Sequence, residues 1–231
     1  MPQPRPTPIE LDSAHSCDRQ QAEPSRHEPR NGLVGRLASR REERLALHAL
    51  RIAGEPNLIL DLPCGSGRFL PLLTRHANRL VLAADESAER LALAIAGQRE
   101  ESAQRIRALH TSALSIDLGE NAVDAIFCMR FLHQMETADS RLAVLREFHR
   151  VTRDTLIVSL WVDGNYQAWR RTRLERRGTS TATADGRQNR FVVRRAQIED
   201  EFRSVGFHTL SHLDLLPGIA MWRVYVLRKA S

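Results

Sequence analysis

The chain has 231 residues, of which 42% are hydrophobic, and this is enough for one sizeable domain with a buried core. No apolar stretch is long enough to span a membrane, and the start of the chain lacks the apolar segment of a signal peptide. The three cysteines, Cys17, Cys64 and Cys128, have no metal-ligand spacing. We therefore expect reduced thiols, no resident metal, and a cytoplasmic protein without integral membrane association.

The formal net charge of +6 is concentrated in one segment. Residues 164–195 contain nine arginines against Glu175 and Asp185, a net charge of +7. A field of this kind attracts anions, although a run of charge is also typical of a solvated helix face.

The predicted elements begin after a proline-rich and charged stretch, residues 1–30, which is typical of a flexible tail. A helix is predicted at 33–53, and short apolar runs then alternate with amphipathic segments. The predicted strands are 57–62, 80–84, 106–110, 123–129, 155–162, 209–215 and 221–227. The predicted helices that follow the first strand are 68–76, 87–97, 140–152 and 196–205.

Repeated strand–helix units predict an α/β fold, a doubly wound, mostly parallel seven-stranded sheet with helices on both faces. The last two strands are joined by a short turn at Pro217-Gly218, too short for a helical crossover, so they should form an antiparallel hairpin. We expect a single domain over residues 31–231, with a basic insert at 163–190 on the substrate side.

The turn after the first strand is the most informative segment, and it reads Asp61-Leu62-Pro63-Cys64-Gly65-Ser66-Gly67. Gly65 and Gly67 allow a sharp turn and a close approach to a ligand, because they lack a Cβ. A dinucleotide fingerprint would need glycine where Pro63 stands and a small residue where Leu70 stands. A nucleoside triphosphate loop would need a lysine, and the only lysine is Lys229. Both alternatives are weakened.

In sheets of this class, ligands bind at the carboxyl ends of the strands where the strand order reverses. Asp85 follows the second strand and could accept hydrogen bonds from a ribose diol. Small polar residues, Thr111-Ser112-Ala113, follow the third strand and suit an adenine. Three strand ends therefore agree on one adenosine-like ligand.

These residues and their spacing resemble the class I (Rossmann-like) S-adenosylmethionine-dependent methyltransferases, in particular a small-molecule branch similar to ubiquinone-biosynthesis methyltransferases. Pro63 replaces the first glycine of that family's loop, and Ser112 stands where the family often has an acidic residue near the adenine. The resemblance implies the cofactor S-adenosyl-L-methionine and a set of cofactor-binding residues. They are Asp61, Pro63, Cys64, Gly65, Gly67, Arg68, Asp85, Glu86, Ser112, Ala113, Met129 and Arg130.

The acceptor side is expected after the fourth and fifth strands. His133 and Tyr166 are the catalytic candidates, although His133 could equally be a packing residue. The candidates for substrate binding are Trp161, Asn165, Trp169, Arg170, Asn189 and Arg190. The aromatic residues among them could instead form a hydrophobic seam that holds the insert down. Cys64 is interpreted as a small packing residue rather than a reactive thiol.

Three functions stay open at this point. The first is methyl transfer to a small or lipid-like anionic acceptor. The second is methyl transfer to RNA or protein docked on the basic insert. The third is a non-catalytic protein that binds the cofactor or a partner.

Overall fold

The computed structural model describes residues 33–176 and 191–230. Contacts divide the chain into residues 1–37 and residues 38–231, and every contact discussed below lies within the second unit. The predicted tail at 1–30, together with Cys17, Asn189 and Arg190, lies outside the described residues.

The described residues form seven α-helices, a single turn of 3-10 helix and eight strands. The helices are α1 (Leu33–Ile52), α2 (Leu70–Leu73), α3 (Ala88–Ala96), α4 (Glu100–Ala103), α5 (Ala138–Val151), α6 (Tyr166–Arg176) and α7 (Arg195–Ser204), and the 3-10 turn is Leu132–Gln134. The strands are β1 (Leu58–Asp61), β2 (Leu80–Asp85), β3 (Ile106–His110), β4 (Val123–Cys128), β5 (Thr152–Val162), β6 (Val192–Val193), β7 (Phe207–Asp214) and β8 (Trp222–Lys229).

The sheet has the order β3-β2-β1-β4-β5-β8-β7, with the two-residue β6 paired to β5. Strands β1 to β5 are parallel to one another, and β8 lies between β5 and β7 and is antiparallel to both. The predicted doubly wound sheet and its antiparallel end are confirmed. The order reverses between β1 and β4, so the crevice at the carboxyl ends of these two strands is the expected ligand position.

Apolar side chains cover both faces of the sheet. One core layer includes Phe148 of α5 and Phe202 of α7, and the other includes Leu50 of α1 and Leu73 of α2. The central strands are apolar on both faces because both faces are covered by helices. None of the helices in the described ranges is long and apolar enough to cross a membrane.

The structure corrects two predicted segments. Only Leu70–Leu73 of the predicted helix at 68–76 is helical, and the hydroxyl of Thr74 donates to the Leu70 carbonyl at 2.8 Å where this helix ends. The basic insert opens with the 11-residue helix α6, which the sequence analysis did not predict. Its arginine-rich sequence lacks the apolar stripe on which a helix prediction depends.

Candidate cofactor and acceptor site

The glycine turn connects the end of β1 to its two neighbouring strands. The Leu62 amide donates to the carbonyl of Phe127 in β4 at 3.1 Å, and the Cys64 amide donates to the carbonyl of Ala84 in β2 at 2.7 Å. Gly65 and Gly67 have φ values of +56° and +70°, in the left-handed region that favours glycine. A Cβ on Gly67 would lie 2.8 Å from the Ala94 carbonyl oxygen, so this glycine also allows α3 to approach. The predicted sharp turn is present.

Asp61, the last residue of β1, is a buried carboxylate beneath this turn. It is 2% exposed, and its Oδ2 has no hydrogen-bond partner. Burial, with the charge of Asp85 as a smaller cause, raises the pKa of the Asp61 carboxyl well above its usual value. A buried carboxyl oxygen without a partner can receive a donor from a ligand, and the ammonium group of an amino acid is such a donor.

Asp85, at the end of β2, is already engaged with its own chain. It is 1% exposed. Its Oδ2 accepts the Gly65 amide at 3.0 Å, and its Oδ1 accepts the Ser87 amide at 2.9 Å and pairs with Arg90 at 3.0 Å. Asp85 therefore holds the glycine turn in place, a role that the sequence analysis did not foresee. A carboxylate has about four lone-pair positions, so one acceptor position remains for a ribose hydroxyl. Glu86, next to it, is exposed.

The two thiols near the turn are buried and form no disulfide. Burial is the main cause that raises the pKa of both the Cys64 and the Cys128 thiol, and the negative charge of Asp61 adds to it. Neither thiol is therefore an activated nucleophile.

The segment after β3 forms a small loop at the end of the sheet where an adenine is predicted. Ala113 is buried, and the Ser112 hydroxyl accepts the Leu114 amide at 3.4 Å. The Thr111 hydroxyl donates to the Ser115 carbonyl and accepts the Asp117 amide. These local bonds fix a small polar loop at the edge where an adenine is predicted.

On the β4 side, Met129 is buried and Arg130 has an unusual backbone. Arg130 is a non-glycine residue with a φ of +63°, and its amide donates to the Ser159 hydroxyl at 2.9 Å. Such left-handed residues cost free energy and cluster at functional sites. The Arg130 guanidinium binds the carboxylate of Glu42 through Nε at 2.8 Å and Nη2 at 2.6 Å. Arg68, directly after the glycine turn, pairs with the same carboxylate at 2.8 Å.

His133 lies in an aromatic group at the ends of β4 and β5. It is 3% exposed, stacks on Trp161 at a centroid distance of 5.3 Å, and meets Trp222 edge-on at the same distance. The register of β5 and β8 places Trp161 directly opposite Trp222. Sequence reasoning missed Trp222, because strand pairing brings it to the site and no local pattern marks it. The guanidinium of Arg130 lies 5.5 Å from the Trp222 ring, so Arg130 contacts both Glu42 and this aromatic group.

Helix α6 carries a second aromatic group, in which Tyr166 and Trp169 are each 55% exposed with ring centroids 5.9 Å apart. The Arg173 guanidinium lies 5.1 Å from the Trp169 ring. Tyr166 pairs with Trp169, whereas His133 contacts the rings of Trp161 and Trp222. A cleft of about 740 Å³ runs along this helix. Its lining residues are Asp163, Gly164, Asn165, Tyr166, Ala168, Trp169, Thr172, Arg173 and Gly218.

Asn165 has a structural role at the start of α6. Its amide nitrogen donates to the carbonyls of Val162 at 2.7 Å and Asp163 at 3.2 Å, and its oxygen accepts the Ala168 amide at 2.9 Å. This is a helix cap. The amide of Asn165 is therefore committed to the chain, while Arg170 is exposed on the same helix.

Comparison with known proteins agrees with this geometry. Residues 59–155 match a family model described as a methyltransferase domain. No curated protein matches the chain in sequence.

Three solved structures illustrate the shared fold. Magnesium protoporphyrin IX methyltransferase (ChlM) from Synechocystis PCC 6803 with bound SAH has a TM-score of 0.65, with 15% identity over 95% of each chain. A SAM-dependent methyltransferase from Methanosarcina mazei has a TM-score of 0.60, with 18% identity over 76% of this chain and 93% of that one. The [4+2]-cyclase SpnF has a TM-score of 0.63, with 16% identity over 81% of each chain.

The crevice between β1 and β4 fits the cofactor of this family. It offers a glycine turn, a buried carboxyl oxygen without a partner in Asp61, and two guanidinium groups from Arg68 and Arg130. The methyltransferase-domain match over residues 59–155 and the shared fold together support an S-adenosylmethionine-dependent methyltransferase.

Proposed function

We propose that this enzyme methylates a small or lipid-like anionic acceptor that binds along α6. The observation that carries the proposal is the cleft in which the exposed rings of Tyr166 and Trp169 lie beside the guanidinium of Arg173. Apolar rings next to a fixed positive charge suit an acceptor with an apolar body and an anionic group. The cleft volume of about 740 Å³ lies within the range of small-molecule sites.

The position of the cleft also supports this proposal. Helix α6 begins four residues after β5 ends at Val162, so the cleft lies at the carboxyl end of the sheet, the same end as the β1–β4 crevice.

S-adenosylmethionine supplies an activated methyl group on a sulfonium when it is bound. The protein then has to hold the acceptor in line and exclude water. Asp61, Arg68 and Arg130 would hold the amino-acid end of the cofactor, and Asp85 and Glu86 the ribose. The stacked group of His133, Trp161 and Trp222 would shield the reaction side, with His133 as the candidate base for an acceptor that must lose a proton. Tyr166 stays a candidate for orienting the acceptor.

The sharpest test compares acceptor variants in a methyl-transfer assay. A cell extract is incubated with methyl-labelled cofactor and fractionated into small molecules, lipid, RNA and protein. We expect label in the small-molecule or lipid fraction. Trp169→Ala and Arg173→Gln should raise the KM for the acceptor without changing the affinity for S-adenosylhomocysteine. Arg153→Gln is the matched control, because Arg153 is an exposed arginine near the start of β5, at the opposite end of the sheet. Methyl transfer with a KM for the acceptor that neither of the two α6 substitutions changes would contradict the proposal.

A second candidate is a macromolecular acceptor, and the exposure of Arg170 and Arg173 beside two aromatic rings favours RNA over protein. Label in the RNA fraction, with an affinity that falls steeply with salt and a slope that Arg170→Gln reduces, would select it.

A third candidate is a non-catalytic protein of this fold that binds the cofactor or a partner. The similarity to a [4+2]-cyclase keeps this candidate open, because it shows that a protein of this fold can have a function other than methyl transfer. Binding of S-adenosylmethionine without label in any fraction would support it. Kinship with ubiquinone-biosynthesis methyltransferases and a cytoplasmic location stay predictions.

A further inference from the structure

Glu42 of α1 is a buried carboxylate that binds two arginines. Its side chain is 3% exposed and contacts Nε and Nη2 of Arg130 at 2.8 and 2.6 Å and Nη1 of Arg68 at 2.8 Å. A pair with two parallel N–H···O bonds, as between Arg130 and Glu42, fixes the plane and direction of the guanidinium. No motif in the sequence marks Glu42.

The two arginines come from the two elements that border the crevice. Arg68 directly follows Gly67 of the glycine turn, and Arg130 lies two residues beyond the end of β4. Further bonds hold both residues. Nη2 of Arg68 donates to the Ser39 carbonyl at 3.3 Å, and the Arg130 amide donates to the Ser159 hydroxyl at 2.9 Å.

The two arginines of this cluster are more exposed to solvent than the carboxylate that they bind. The side chains of Arg68 and Arg130 are 23% and 32% exposed, whereas Glu42 is enclosed. The carboxylate is thus enclosed, whereas both guanidinium groups are partly open to solvent at the end of the sheet where β1 and β4 end. Two cations and one anion leave a net positive charge there. Nearby, Asp61 offers a carboxyl oxygen without a partner.

We infer that Glu42 is a positioning residue, which holds Arg68 and Arg130 as one receptor for the carboxylate of the cofactor's amino-acid end. The inference rests on the proposed function, because it concerns the methyl donor of that reaction. Glu42 touches no ligand in this role. It fixes the direction of two guanidinium groups that would otherwise be mobile, so that less conformational entropy is lost when the ligand binds.

If Glu42 instead competed with the ligand, its removal would change the binding affinity in the opposite direction. If Glu42 occupied the position of the ligand's carboxylate, its removal would free both arginines and strengthen binding. A positioning role predicts weaker binding, and only for ligands that carry a carboxylate.

The test is calorimetric titration of the full chain with two ligands. S-adenosylhomocysteine carries the amino-acid group, whereas methylthioadenosine keeps the adenosine and the sulfur but lacks that group. We expect Glu42→Gln to weaken S-adenosylhomocysteine binding about tenfold or more, as is typical when a supporting residue is lost, and to leave methylthioadenosine binding within about twofold. Glu42→Asp, which keeps the charge, should restore part of the loss. Glu43→Gln, one residue along the same helix, is the matched control and should change neither affinity.

Other binding results would overturn either the role of Glu42 or the cofactor assignment. Equal loss for both ligands would reduce Glu42 to a structural role and overturn the inference, and so would unchanged or tighter binding of S-adenosylhomocysteine. If Glu42→Gln does not fold, the affinities for the same two ligands are compared for Glu42→Asp, which should weaken only the binding of S-adenosylhomocysteine. A wild-type chain that binds neither ligand would instead refute the cofactor assignment on which the proposed function stands.

Discussion

Replacing Asp61 by asparagine should stabilise the fold while it weakens cofactor binding. Asp61 is 2% exposed, and its Oδ2 has no hydrogen-bond partner, so the ligand-free chain is destabilised by a buried carboxyl oxygen that makes no hydrogen bond. Asparagine has nearly the same size and carries no charge. The stability gain and the affinity loss then arise from the same atom, as expected where a site is preorganised for a ligand.

The size of the gain follows from burial. An unpaired buried polar group costs about 1–3 kcal/mol, and more when it is charged. Because the asparagine amide must itself be desolvated, we expect a gain of about 1–2 kcal/mol in the free energy of unfolding. For a chain of this length, each 1 kcal/mol raises the Tm by about 2–4 °C.

The gain should also depend on pH with a fixed sign. The pKa of the folded Asp61 carboxyl is raised above its usual 3.8 by burial and by Asp85. On acidification, the folded chain therefore takes up a proton at a pH where the unfolded chain is still deprotonated. This proton uptake favours the folded chain, so the free energy of unfolding of the wild type increases as the pH falls from the raised pKa towards 3.8. The advantage of Asp61→Asn should be largest at neutral and higher pH and should shrink on acidification.

Chemical unfolding at several pH values, with a titration of S-adenosylhomocysteine, measures both effects. Asp124→Asn is the control, because both carboxylate oxygens of Asp124 already accept hydrogen bonds. Its Oδ2 accepts from the Leu58 amide and its Oδ1 from Nη1 of Arg153, at 2.9 Å each. This control should lower stability and leave affinity unchanged. The reasoning about Asp61 is refuted if Asp61→Asn destabilises the chain as much as the control does.

Three further predictions concern stability elsewhere in the chain. Glu201→Ala should cost about 3–5 kcal/mol in chemical unfolding, because it leaves the buried guanidinium of Arg141 without the carboxylate that it contacts at 2.6 Å. Asp200→Ala, at an exposed ion pair one residue away, should cost less than about 1 kcal/mol. Burial, and then the charge of a nearby lysine, lowers the pKa of His149, so its contribution to stability is present above about pH 6.5 and is lost as the pH falls below that value. His149→Gln should flatten this part of the unfolding profile, and an unchanged profile would contradict the assignment. Arg130→Gly should be about 1 kcal/mol more stable than Arg130→Ala, because φ is +63° there; equal thermal stability of the two variants would argue against backbone strain.

The fold was predictable because its signals are local. Strand β4 is apolar along nearly its whole length and is buried on both faces, and such a run has one dominant interpretation in an alternating α/β pattern. The glycine turn was predictable for the same reason, since Gly65 and Gly67 are the residues that a left-handed backbone favours.

The contacts that complete the site were not predictable, because they join residues far apart in the chain. Glu42 meets Arg130 across 88 positions, and the pairing of Trp161 with Trp222 depends on the register of β5 and β8. No local pattern specifies such a pairing. The capping role of Asn165 was missed because α6 lacks the apolar periodicity that would have predicted a helix after it.

Direct titration of the wild-type chain with S-adenosylhomocysteine tests the central claim, that the β1–β4 crevice holds the methyl donor. We expect saturable binding of one ligand per chain, competition by S-adenosylmethionine, and no change in affinity for Trp169→Ala, whose ring lies on the proposed acceptor side. A folded wild-type chain that binds neither S-adenosylhomocysteine nor S-adenosylmethionine would contradict it.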